Sequence, residues 1–324
     1  MQWTYTRNVD GIKFVPVTFP LNKPDSLLIE GENIKGLIEY LQDNNIKKAF
    51  IQQRSNFDFL LNCGGLEHIG IELRVSFSEY ENLPIKGKRK YKEYDLKVLN
   101  SLSELKSLDL IEIDYNSNIK TNVDIDLSKL TKLEAFYGKY DFVSNLYKAS
   151  SIKSLVLIKY SEVDFSEFSE LKRLDTMKFT FSKLKTLNGC ENLTNLQCLY
   201  LYHNRLLYDI TALGKVKKTL KALRIENCPK IEDFSVLAEL ENLELLELSG
   251  KNRLPNLNFL KKMKNLKTFV FNMYVDDGDL EQCKNLSYVY SEVDRKHYNV
   301  KDKDLPKGKY YRGNEDIELW RRLE

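Results

Sequence analysis

The chain has 324 residues, with 50 Lys and Arg against 47 Asp and Glu, a formal net charge of +3. That balance gives no bulk attraction to nucleic acid or to an acidic membrane. About fifty leucines beside only 14 glycines and 7 prolines exclude collagen-like and low-complexity classes.

The chain opens on Met1-Gln2-Trp3-Thr4-Tyr5, which carries no apolar signal core. No run approaches the ~18 apolar residues of a membrane span. A cytoplasmic location is expected. Trp3-Thr4-Tyr5-Thr6 and Ile12-Lys13-Phe14-Val15 flank Asp10-Gly11, a hairpin turn signal. Residues 1–23 are therefore expected to cap the chain's N-terminal end. The apolar spacing of Ile34–Leu41 predicts a helix.

From residue 24 a repeat takes over. Leu196-Gln197-Cys198-Leu199-Tyr200-Leu201-Tyr202-His203-Asn204 reads LxxLxLxxN. The same frame opens at Leu108, Leu133, Ile152, Leu174, Leu220, Leu243, Leu266 and Leu286. The intervals from Leu108 to Leu286 are 25, 19, 22, 22, 24, 23, 23 and 20 residues. Weaker copies open at Ile46 and Leu66, with Pro24, Leu27 and Ile29 as a first one. About 12 repeats are expected over 24–296. The gap from Leu66 to Leu108 is 42 residues, room for two turns, but it holds no clean LxxLxL, and 75–107 reads as irregular, either a degenerate turn or an insertion. Residues 297–324, with Ile317, Leu319, Trp320 and Leu323, are expected to form a C-terminal cap.

A fixed period near 22 means that each copy is one strand, one turn and one return segment. No copy can bury its apolar edge alone, so stacking must do it. Leu199 and Leu201 point inward, and Cys198, Tyr200 and Tyr202 point outward, because strand side chains alternate. Three residues before the openings stand Leu105, Leu130, Leu171, Leu193, Leu240 and Met263, with Cys63 and Cys283 in the same slot. Those two thiols then act as small buried hydrophobes. Cys228 fills the Asn position of its copy.

The repeat resembles that of the leucine-rich repeat superfamily, and its period is similar to the internalin-type bacterial subclass. Asp209-Ile210-Thr211-Ala212-Leu213 and Ile231-Glu232-Asp233-Phe234-Ser235-Val236-Leu237 resemble that subclass's I-x-D-I-S-x-L turn, and Asp164-Phe165-Ser166 is a looser copy. The resemblance implies an α/β solenoid: a right-handed superhelical arc. Parallel strands would line its concave face, and short helices or 3-10 turns its convex face. The Asn slot departs, holding Tyr160, Lys251, Tyr274 and Asp294 in four copies.

No catalytic signature is present. The three histidines, His68, His203 and His297, form no HExxH, and no P-loop, GxSxG or GxGxxG occurs. No enzyme activity, cofactor or metal is expected. The five cysteines include no CxxC pair. Function is expected on the concave face, where positions +2, +4, +6 and +7 of each copy project. There Tyr137, Lys139 and Tyr140 come from one copy, and Lys178 and Phe181 from another. Tyr200, Tyr202 and His203 follow, then Arg224 and Glu226. Tyr288, Tyr290 and Glu292 stand further on. Tyrosine and arginine supply binding hot spots because they bury area and keep a polar handle. The expectation is a monomeric module that binds a partner protein without a membrane, such as an inhibitor or toxin-neutralising protein. The alternative is a nucleic-acid-associated protein using the basic run Lys86, Lys88, Arg89, Lys90 and Lys92.

Overall fold

The computed structural model describes residues 7–9, 11–15, 25–52, 56–75, 77–86, 89–113 and 119–310. The chain divides into two compact units, Met1–Ile152 and Lys153–Glu324.

In the first unit a hairpin turns at Gly11, with Arg7–Val9 as its first strand. Strand β1 (Arg7–Val9) pairs antiparallel with β2 (Ile12–Val15), Val9 opposite Ile12. Gly11 takes φ +84° in the turn, a conformation open to glycine at no steric cost. Trp3, Thr4, Tyr5 and Thr6 lie outside the described residues. Strand β2 pairs antiparallel with β3 (Ser26–Ile29). Parallel pairing then runs through β4 (Lys48–Ile51), β5 (His68–Arg74), β6 (Ser107–Ile113) and β7 (Ala135–Lys139). The expected helix is α1 (Ile34–Asp43), capped where Asn33 Oδ1 accepts from Gly36 N at 3.2 Å.

The 42-residue interval holds one turn, not two. Strand β5 pairs directly with β6 over seven positions, His68 opposite Ser107 through Arg74 opposite Ile113. The extra length is an insertion: helix α2 (Phe77–Asn82) and a short hairpin, Ile85–Lys86 with Arg89–Glu93. The hairpin's second strand pairs in parallel with Ile119–Asn122.

That pairing also corrects the frame. Leu108 stands opposite Ile69 and Phe136, the second apolar position of their copies. The copy therefore opens at Leu105, and its buried row is Leu105, Leu108 and Leu110. Ile111, which a copy opening at Leu108 would turn inward with the core leucines, packs instead against Val15, Leu28 and Phe50. The apolar residues at 108, 110, 111 and 113 satisfy two frames, and strand register chooses between them.

The second unit is more regular. Seven parallel strands follow in order among the described residues. They are β8 (Ser154–Ile158), β9 (Thr176–Thr180), β10 (Cys198–Tyr202), β11 (Ala222–Glu226), β12 (Leu245–Ser249), β13 (Thr268–Phe271) and β14 (Tyr288–Ser291). Return segments are short 3-10 turns such as Thr211–Lys215 and Ser235–Glu239. The inward pairs Leu199/Leu201, Leu223/Ile225 and Leu246/Leu248 are buried, as the period requires. Each buried leucine is worth ~1.5–3 kcal/mol of transfer free energy.

Turn chemistry repeats with the core. Asp164, Asp209 and Asp233 Oδ1 accept from Ser166, Thr211 and Ser235 N at 3.0, 2.8 and 2.7 Å. Each carboxylate satisfies a backbone donor at the start of a 3-10 segment, where no helical partner exists. The last edge is covered too. Val289 N donates to Pro306 O at 2.8 Å, and Lys307 bridges antiparallel to Tyr288. An edge strand left bare would recruit other chains. Ile317, Leu319, Trp320 and Leu323 lie outside the described residues.

Candidate interaction surface

Strand register places the outward side chains of the second unit in rows. One row runs Val156, Lys178, Tyr200, Arg224, Glu247, Val270, Tyr290. A second holds Ile158, Thr180, Tyr202, Glu226 and Ser249. Neighbours in a row sit one strand spacing apart, ~4.8 Å. Polar groups at that distance must pair or repel.

They pair. Lys178 Nζ lies 4.6 Å from the Tyr200 ring centroid, and the Arg224 guanidinium carbon 5.7 Å from it. Arg224 Nε is 3.2 Å from Glu247 Oε2. Tyr200 donates its hydroxyl to Glu226 Oε2 at 2.7 Å, and Tyr310 donates to Glu247 Oε1 at 2.5 Å. The consequence for exposure is direct. Lys178, Tyr200 and Arg224 stand on the expected face, yet their neighbours bury them, Tyr200 to 1 %. Tyr202, His203 and Glu226 are half-buried, and Phe181 is 50 % exposed.

The strand ends carry a further regularity. Lys159, Phe181, His203 and Asn227 occupy one position in four successive copies, with φ of 58, 54, 53 and 52°. Left-handed backbone costs a non-glycine residue ~1–2 kcal/mol. The ladder offsets this: Lys159, Phe181, His203 and Asn227 N each donate to the next strand's carbonyl, at 2.8–3.0 Å. The turn aims the side chains along the rim. The His203 ring stacks on Phe181 with centroids 5.0 Å apart, and meets Tyr202 edge-on at 4.2 Å.

Between Tyr200 and Tyr310 lies a depression of about 380 Å³, with tyrosines 200, 202, 288, 290 and 310 and carboxylates Glu226, Glu247 and Glu292 in its lining. Glu247 and Val270 follow from the +4 position of their copies, although the sequence reading did not name them. Tyr310 carries no repeat signal. It reaches the depression because residues 306–308 pair with the edge of β14.

Other predicted residues fall elsewhere. Tyr137, Lys139 and Tyr140 lie in the first unit. Tyr137 is half-buried opposite Asp109; burial, with that carboxylate's charge, pushes its hydroxyl up to about 12. Lys139 is buried, with Nζ 5.4 Å from the Phe142 ring, and Tyr140 begins a 3-10 turn. The basic run is used internally. Lys90 Nζ donates to the carbonyls of Tyr80 and Glu81 at the end of α2. Lys92 pairs with Glu79 at 3.0 Å, and Lys86 lies 3.9 Å from the Tyr91 ring centroid. Arg89 is exposed, and Lys88 lies outside the described residues. The three histidines stay apart: His68 meets Ser107 Oγ at 2.9 Å, and His297 meets Val275 O at 2.9 Å.

No protein-family model and no curated protein matches the sequence. Solved structures do match. An internalin (InlF) from Listeria monocytogenes aligns with 89 % of this chain and 86 % of its own, at 15 % identity and TM-score 0.51. A leucine-rich repeat protein from Leptospira interrogans covers 82 % of each chain at 13 % identity and TM-score 0.47. Internalin C2 from Listeria monocytogenes covers 55 % of this chain and 75 % of its own, at 21 % identity and TM-score 0.40.

The chain has the leucine-rich repeat fold.

The leucine-rich repeat slots explain the thiols and the asparagines. Cys63 and Cys283 are buried in the slot of a core leucine, and Cys228 Sγ lies 3.5 Å from Leu201 O. Asn204 is fully buried: its Oδ1 accepts from Ser182 N at 3.0 Å and its Nδ2 donates to Phe179 O at 3.2 Å. Where the slot holds Lys251, the next residue serves. Asn252 Nδ2 donates to the carbonyls of Cys228 and Ile231 at 3.1 and 2.7 Å. Gly250, at φ +137°, shifts the chain by that one residue. No helix among the described residues is long and apolar enough to cross a membrane.

Proposed function

We propose that the chain is a protein-interaction module that binds a partner protein on the open face of the strands in its second unit. The observation that carries this reading is the tyrosine-lined depression of about 380 Å³ on a face whose side chains are held by one another. Side chains already fixed lose little rotamer freedom on binding, so more of the contact energy survives as affinity. A rigid face covers a partner rather than reshaping it. That suits an inhibitor or toxin-neutralising protein. Five buried cysteines, none of them in a disulfide, fit a reducing compartment such as the cytoplasm. The basic run supports nucleic-acid binding poorly, since Lys90 and Lys92 are engaged by α2.

The test is to recover partners with the tagged chain from its native source. Affinities of Tyr202→Ala and Tyr290→Ala are then measured beside Tyr208→Ala, an exposed tyrosine outside the depression. Hot-spot truncations cost ~2 kcal/mol or more, about thirtyfold in affinity. Equal affinity in all three variants removes the binding site from this face.

A further inference from the structure

We propose that the depression across β10–β14 receives a cationic side chain, an arginine or lysine presented by the partner protein. The inference rests on the interaction reading above and specifies its chemistry. The lining sets three carboxylates, Glu226, Glu247 and Glu292, against one cation, Arg224; Lys178 and Lys307 reach its tyrosine rings from outside the lining, and Lys307 Nζ is itself held by Asp302 Oδ1 at 2.7 Å. Arg224 is already committed, with Nε 3.2 Å from Glu247 Oε2. The hydroxyls of Tyr200 and Tyr310 hold Glu226 and Glu247 in place. A neutral donor fixes a carboxylate without cancelling its charge. Glu292 stands exposed at the rim, with Asn272 Nδ2 on its Oε2 at 2.6 Å.

The walls add a second attraction. A tyrosine ring draws a cation to its face. This face uses that force on its own Lys178, 4.6 Å from the Tyr200 ring centroid. Lys178 Nζ and Lys307 Nζ lie 6.0 and 5.3 Å from the Tyr202 and Tyr290 ring centroids, and Tyr202, half-buried, and Tyr290, 41 % exposed, keep ring surface beyond those contacts. Low-dielectric walls around an excess of one charge focus its field. An acidic segment would meet like charge here, and an apolar anchor would strip water from carboxylates without replacing it. A guanidinium or ammonium satisfies both the carboxylates and the rings.

The experiment uses the full chain and three fluorescein-labelled hexapeptides, alternating glycine with arginine, lysine or glutamate, read by anisotropy. The double variant Glu226→Gln with Glu292→Gln removes charge from the depression and keeps an acceptor at each position. Glu241→Gln with Glu281→Gln removes the same charge from exposed sites on the return turns. The arginine peptide is expected to bind saturably, and the glutamate peptide not at all. The first double variant should weaken arginine-peptide binding about fivefold, the second less than about twofold. Glu292→Gln alone, at an exposed site, repeats the test without disturbing packing. Equal weakening in both double variants would reduce the effect to bulk charge and overturn the proposal. So would no saturable arginine-peptide binding, or preference for the glutamate peptide. If one of these occurs while Tyr202→Ala and Tyr290→Ala still weaken a captured partner, the cation assignment fails and the interaction face stands. If the alanine variants change nothing, the face itself fails.

Discussion

Tyr200 donates its hydroxyl to Glu226 Oε2 at 2.7 Å, one strand over and one row along. The bond ties two rows of the open face together. It also explains why a tyrosine at an outward position is 1 % exposed: its ring lies between Lys178 and Arg224, and its tip is spent on Glu226. Tyr200→Phe keeps the ring and deletes the bond. Because Glu226 is half-buried and can regain water, the expected loss is at the low end for a charged hydrogen bond, ~1–1.5 kcal/mol. Tyr200→Ala also opens a cavity and should cost ~3–5 kcal/mol. Urea unfolding of the two variants separates the terms. A Tyr200→Phe loss equal to that of Tyr200→Ala would mean that the ring contributes nothing.

Lys159 tests the left-handed column at the strand ends. Its side chain is exposed and its φ is +58°. Glycine removes the steric cost but adds freedom to the unfolded chain, so Lys159→Gly should be neutral or stabilising by up to ~1 kcal/mol. Lys159→Val places a branched Cβ in the same conformation and should destabilise by ~1–2 kcal/mol. The midpoint of denaturation should therefore rank glycine at or above lysine, and valine below. Valine as stable as glycine would show that the turn relaxes.

The thiols make alkaline stability a readout of burial. Burial pushes the Cys63 thiol up to about 11. It pushes those of Cys190, Cys228 and Cys283 up to about 12. Unfolded thiols lose their protons near 9, so between there and 12 the folded state binds more protons than the unfolded. Their contribution is fully present below pH 9 and is lost as pH rises through the folded values. Stability should fall across that window, and less steeply in Cys283→Ala. In the native protein at about pH 8 iodoacetamide should label none of these four thiols quickly, since the thiolate is the reactive form. Rapid native labelling of Cys228 would place it outside the core.

How far the sequence could be read depends on which interactions set each feature. In the copy from Leu196 to Asn204 the inward pair and the outward positions were legible, because strand alternation is local to one turn. The copy at Leu108 was read three residues late, because its apolar run fits two frames and only pairing with Ile69 and Phe136 decides. The insertion at 77–93 has no period to betray it. On the face, the frame placed Tyr202, Arg224 and Glu226 correctly on the outward side. It could not report that Tyr200, Lys178 and Arg224 cover one another, since that depends on side chains from three turns. Tyr310 was beyond reach, because its bond to Glu247 spans 63 residues and starts from a non-repeating segment.

Asp233 offers the complementary test at acid pH. The Ser235 backbone N–H, with the Ser235 side chain, holds its carboxyl below the usual carboxylate range. Its Oδ1 accepts from Ser235 N at 2.7 Å, at the start of the Ser235–Glu239 turn. A lowered folded value means that the carboxylate stabilises the fold above the unfolded value. That contribution disappears as pH falls through the folded one. Asp233→Ala should cost ~1 kcal/mol at neutral pH, the ordinary value of a capping side chain. Asp233→Asn keeps the acceptor without the charge and should recover most of it. The difference between wild type and Asp233→Ala should shrink below about pH 4, where the aspartate of the unfolded chain is protonated. Thermal melts at neutral pH and near pH 3 measure this. A gap of the same size at both values would make the contribution one of turn shape, independent of charge.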